Sequence, residues 1–116
     1  MIRAALVFVT AVAVLQPHSA QAPGRLGVSA TEFHLTLSRG SVKAGPVIIQ
    51  LQNDGQDVHD LLLHRIGGKR TYSFPVTSPG GRSTLTVQML PGRYRLWCSL
   101  ANHAQLGMRA VLRVRR

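Results

Sequence analysis

The sequence predicts an all-β domain, a β-sandwich with Greek-key connections, and three observations lead there. No stretch beyond the first 22 residues sustains a helical apolar period between start and stop signals. Short runs of alternating apolar and polar residues recur instead, bounded by Gly, Pro, Asn or Asp. Their spacing is that of strands in a sandwich.

Taken in order, the chain begins with MIRAALVFVTAVAVLQPHSAQA, which reads as a secretory signal peptide over residues 1–22. Arg3 gives the positive start, Ala4 to Leu15 the apolar centre, and Ala20-Gln21-Ala22 the small-x-small cleavage signature. A retained anchor is disfavoured, because the apolar run stops at Gln16-Pro17, short of the roughly 20 residues a spanning helix needs. Residues 23–116 then form one small domain with a single core.

Strands are expected at 32–38 (EFHLTLS), 46–52 (PVIIQLQ), 58–65 (VHDLLLHR), 82–88 (RSTLTVQ), 93–98 (RYRLWC) and 109–115 (RAVLRVR). Asn53-Asp54-Gly55, Gly67-Gly68, Ser78-Pro79-Gly80-Gly81 and Pro91-Gly92 supply the turns between them. In RYRLWC the alternation sends Tyr94, Leu96 and Cys98 inward and Arg93, Arg95 and Trp97 to the wet face. Cys98 thus points inward where the strand gives way to the loop SLANHAQLGM.

Lys and Arg number 14 against four acidic residues, Glu32, Asp54, Asp57 and Asp60. So lopsided a charge suits an acidic partner, a protein or an anionic membrane surface, the alternative being a solvated basic surface with no specific partner. Nucleic acid is excluded as the expected partner by the leader peptide and by the absence of interleaved aromatics for base stacking. The mature protein is expected in the periplasm or secreted, as a monomer.

An exported chain with one cysteine cannot form an internal disulfide, so Cys98 is either a buried small hydrophobe or a ligand. His103 and Met108 follow it at intervals of five. Thiolate, imidazole and thioether make a soft set, better suited to copper than to calcium or magnesium. Two histidines and a cysteine in a plane with a weak axial methionine define a blue-copper centre, so a second histidine is required. Of His34, His59 and His64, His59 fits best, at the head of an apolar strand directly after a turn. His64 faces the other side of that strand, and His34 shares a polar face with Glu32 and Thr36.

Two segments, VKAGPVIIQLQNDGQDVHDLLL and LPGRYRLWCSLANHAQLGMRAVLRV, resemble the cupredoxins, the plastocyanin and azurin superfamily, over about half of the mature chain. The resemblance implies a cupredoxin-like copper-binding domain over residues 23–116 with one type 1 site cycling between Cu(I) and Cu(II). It makes His59, Cys98 and His103 the strong equatorial ligands and Met108 the weak axial one. Many members carry Asn directly after the first histidine, where this chain has Asp60, which would accept the same backbone N–H bonds.

The function expected on this basis is one-electron transfer between redox partners, the alternative being a periplasmic copper carrier or chaperone. An enzyme is not expected: a thiol protease would need a cleft and an orienting third group, and a multicopper oxidase further histidine clusters. Leu100, Ala101, Ala104 and Leu106 would form an apolar rim around His103, with Gly107 letting the backbone pass close to the metal.

Overall fold

The structure, a computed structural model, describes residues 1–16 and 22–116. Residues 1–16 hold no helix or strand and are exposed, while Pro17 and the Ala20-Gln21 part of the expected cleavage signature lie outside the described residues. No described helix is long and apolar enough to cross a membrane.

Among the described residues, nine strands form two sheets. The first, ordered β2-β1-β4-β7, comprises β1 (Gly24–Thr31), β2 (His34–Leu37), β4 (Gly45–Asn53) and β7 (Arg82–Met89). The second, ordered β3-β9-β8-β5-β6, comprises β3 (Ser41–Lys43), β5 (His59–Arg65), β6 (Thr71–Thr77), β8 (Gly92–Trp97) and β9 (Arg109–Arg115). A single turn of helix, α1 (His103–Leu106), interrupts the loop between β8 and β9. β1 pairs in parallel with β4 and β3 in parallel with β9, and the other neighbours are antiparallel.

Alternation decides what each sheet buries. Leu26, Val28 and Ala30 of β1 and Val47, Ile49 and Leu51 of β4 face Leu61 and Leu63 of β5, Tyr94 and Leu96 of β8, and Leu112 and Val114 of β9 across one core. Tyr94 is buried with its hydroxyl accepting the Leu90 N–H at 3.0 Å, which ties the turn before β8 to the core.

The expected strands all form, but three more appear, β1, β6 and the three-residue β3. β1 carries Gly24 at its start and Gly27 within its inward Leu-x-Val-x-Ala pattern, which dilute the strand signal. β6 contains Pro75 and lies at the edge of its sheet, where a residue without an N–H is tolerated. Glu32 and Phe33, expected in a strand, form the turn between β1 and β2 instead.

Candidate metal centre

The centre is assembled from the turn after β1, the loop before β5 and the loop between β8 and β9. Asn53, at the end of β4 and fully buried, donates from Nδ2 to the carbonyls of Asp57 and Thr77, both at 2.8 Å, and accepts the Gly55 N–H at 2.9 Å. These bonds order the segment leading to His59. Glu32 closes it from the other side: its carboxylate accepts the N–H groups of Gln56 and Asp57 at 2.7 to 3.0 Å. A Cβ at Gly55 would collide with that carboxylate, so glycine makes room for it. The backbone bonds from Asp57 and Gln56 pull the Glu32 carboxyl down to about 2, and it is ionised in any ordinary buffer.

His59, the first residue of β5, is fully buried with Nε2 2.9 Å from Glu32 Oε1. An ionised carboxylate only accepts, so Nε2 is the donor, and in the tautomer this selects the Nδ1 lone pair is the one available to a metal. That Nδ1 lies 4.0 Å from Cys98 Sγ. Cys98 is fully buried immediately after β8, and burial pushes its thiol above the usual range. A bound cation reverses that preference, because a coordinating thiol is deprotonated.

The next residue fixes the cysteine's surroundings. Ser99 donates its N–H to Asp60 Oδ1 at 2.7 Å and its hydroxyl to Asp60 Oδ2, linking the head of β5 to the start of the ligand loop. Asp60 thus makes the backbone bond expected of it. His103 opens α1, with Nδ1 3.5 Å from Cys98 Sγ and its ring tilted against those of His59 and Phe33, at centroid separations of 5.1 and 5.2 Å.

The loop closes on Met108, whose carbonyl accepts the Cys98 N–H at 3.2 Å and whose own N–H donates to the His103 carbonyl at 3.0 Å. Met108 is fully buried. Gly107 has φ +129°, and a Cβ there would lie 2.8 Å from the Phe33 carbonyl oxygen. The close approach that demands glycine is therefore to the β1–β2 turn.

The donor atoms of His59, Cys98 and His103 all fall within 4.8 Å of one another, and all three residues are buried. Two imidazole nitrogens and a thiolate suit copper or zinc and do not suit a hard cation. Exposed His34 joins no such group, and His64 bonds Thr71 Oγ1 at 3.0 Å away from the centre. Of the rim residues, Leu106 is exposed and Leu100 half-buried, while His103 retains a little exposure where His59 has none.

Sequence reading missed Glu32 as the partner of His59 and Phe33 as the neighbour of His103. The Glu32 contact spans 27 residues, beyond the reach of any local pattern.

No family model and no curated protein matches the chain. Solved structures do. A dithionite-reduced auracyanin from Roseiflexus castenholzii superposes with a TM-score of 0.66 at 17% identity, over 83% of this chain and 100% of that one. Auracyanin A, described as a "blue" copper protein from Chloroflexus aurantiacus, gives a TM-score of 0.62 at 15% identity, over 81% and 100%. A purple cupredoxin from Nitrosopumilus maritimus gives 0.56 at 18% identity, over 77% and 98%. At such identities the likeness establishes the fold, and the fold is that of the cupredoxins.

Proposed function

We propose that this chain of cupredoxin fold is an exported type 1 copper protein that carries single electrons between redox partners. The observation that carries the reading is the convergence of His59 Nδ1, Cys98 Sγ and His103 Nδ1 within 4.8 Å in a buried site. His59, Cys98, His103 and Met108 would hold the ion, offering two imidazole nitrogens, a thiolate and a thioether. The description of auracyanin A as a blue copper protein supports the same assignment.

Copper, when bound, supplies a one-electron couple between Cu(I) and Cu(II). What the protein contributes is rigidity, since a site that barely rearranges lowers the cost of each transfer. Glu32 fixes the tautomer and ring orientation of His59, Asp60 pins Ser99 beside Cys98, and the Met108 backbone bonds tie both ends of the loop together. So firm a frame favours an electron carrier over a copper chaperone, which must release its ion readily. The negative charges of Glu32 and Asp60 favour the more positive copper state and hold the reduction potential down. The apolar segment of residues 1–16 supports export to the periplasm or beyond. No substrate chemistry is assigned to the protein.

The test is addition of one equivalent of Cu(II) to the reduced protein, with visible and paramagnetic resonance spectra recorded in parallel for His59→Ala and Cys98→Ala. An intense thiolate-to-copper band that Cys98→Ala abolishes and His59→Ala strongly perturbs is expected. A pale, weakly bound copper signal in the unaltered protein overturns the reading.

A further inference from the structure

The exposed charge on the outer face of the five-stranded sheet is of one sign. Alternation along β8 and β9 turns Arg93, Arg95, Arg109, Arg113 and Arg115 to that face, and β3 adds Lys43. The outer face of the other sheet is nearly neutral, bearing Gln50, Gln52, Thr84, Thr86 and Gln88, with Arg25 and Arg82 toward its ends. Three acidic side chains lie elsewhere: Glu32 bonds the loop before β5, Asp54 bonds Ser29 and Gln52, and Asp57 sits in that same loop; Asp60 belongs to β5 of this sheet but is buried, its carboxylate taken up by Ser99.

Registry makes this arrangement costly. Arg93 stands directly opposite Arg113, and Lys43 directly opposite Arg115. Like charges in such positions destabilise a sheet. Among the described residues no arginine of this face forms an ion pair with a carboxylate. Charges that repel one another without internal partners are complementary to an anionic surface brought from outside.

The face is also shaped. A groove of about 560 Å³ runs along it, with Trp97 and Val111 as apolar lining and Arg95, Arg109 and His64 around them. Trp97 lies opposite Leu62 on one side and Arg109 on the other, and His64 lies opposite Arg95. Ala104 of α1 completes one end, so the groove abuts the loop that holds Cys98 and His103. A concave apolar floor with cationic edges fits a side chain inserted between carboxylates better than it fits a flat sheet of headgroups.

We infer that this groove docks an acidic segment of a protein partner, whose apolar side chain rests against Trp97 while its carboxylates pair with Arg95 and Arg109. The inference deepens the electron-carrier reading by giving the partner a landing surface beside the metal loop, yet it requires no copper to be tested.

Trp97 is the only tryptophan of the chain, so its emission reports the groove directly. The probe is a synthetic peptide of glutamates flanking one leucine, titrated into the metal-free and the copper-treated protein at low salt. Arg95→Gln/Arg109→Gln is compared with Arg25→Gln/Arg39→Gln, which removes equal charge away from the groove. Saturable change in Trp97 emission is expected, with affinity reduced about tenfold by the groove pair and by less than about twofold by the control pair. Because Arg95 and Arg109 have no carboxylate partners among the described residues, the groove variant keeps its fold, which circular dichroism verifies. Equal losses in both variants, or binding that leaves Trp97 emission unmoved, overturns the proposal. So does binding to phosphatidylglycerol vesicles without binding to the peptide, which assigns the face to a membrane. A peptide-binding groove in a protein that fails the Cu(II) test leaves this inference standing and removes the redox reading alone.

Discussion

Glu32 Oε1 lies 2.9 Å from His59 Nε2, so a carboxylate from the β1–β2 turn orients the imidazole that faces Cys98 from the head of β5. The same carboxylate holds two backbone N–H groups of the loop before β5, which makes one side chain responsible for both the ring and the segment that delivers it.

Removing that support should weaken metal binding while leaving the donors in place. Glu32→Ala is expected to reduce copper affinity about 10- to 100-fold, measured by competition with a chelator of known affinity. Glu32→Gln keeps an acceptor for His59 and loses the charge, so its reduction potential should rise, as read by cyclic voltammetry. An unchanged potential would show that the Glu32 charge is not felt at the site.

Gly107 has φ +129° and no room for a Cβ against the Phe33 carbonyl. Gly107→Ala should cost about 1–3 kcal/mol from the strained backbone, detectable in urea unfolding of the metal-free protein. Gly45 shares a positive φ but has open space around it, so Gly45→Ala should cost less.

Asp60 accepts both the N–H and the hydroxyl of Ser99. Asp60→Ala should destabilise by about 1–3 kcal/mol by leaving a part-buried donor unpaired. In Asp60→Asn the amide oxygen still accepts the N–H and its NH₂ donates to the hydroxyl, so most stability should return. The asparagine variant should also have the higher potential, having lost a negative charge near the site.

The Glu32 carboxyl titrates near 2 in the folded protein, from an ordinary value of 4.5, because backbone N–H groups bond its ionised form. Asp54 is shifted in the same direction by Ser29 and Gln52. A depressed carboxyl contributes stability above its unfolded value and loses it as pH falls through the folded one. Unfolding free energy of the metal-free protein should therefore decline from about pH 4.5 toward about pH 2. Glu32→Gln should flatten that decline while lowering stability at neutral pH. An identical slope in the variant would assign acid unfolding to other groups.

Much of the architecture was legible because each sheet buries one face, which stamps a period of two on β4, β5, β8 and β9. β6 was not, since Pro75 reads as a strand breaker unless the strand is known to lie at an edge. His59, Cys98 and His103 come together as their positions at strand ends and in one loop implied. Glu32 and Phe33 escaped notice because they read as the start of the strand that follows, whereas they form a turn, where strand alternation does not say which way a side chain points. The basic face was visible as composition, but only the registry of Arg93 with Arg113 shows that its charges oppose one another.

His59 and Cys98 stand 39 residues apart, on β5 and just beyond β8. An ion gripped by both is a cross-link between segments that an unfolded chain keeps far from each other. By mass action, anything bound to the folded form alone shifts the unfolding equilibrium, by about 4 kcal/mol when free ligand exceeds its dissociation constant a thousandfold. Metal supply would then set how long the molecule survives heat and proteases, and chelation would shorten its life before any electron is moved.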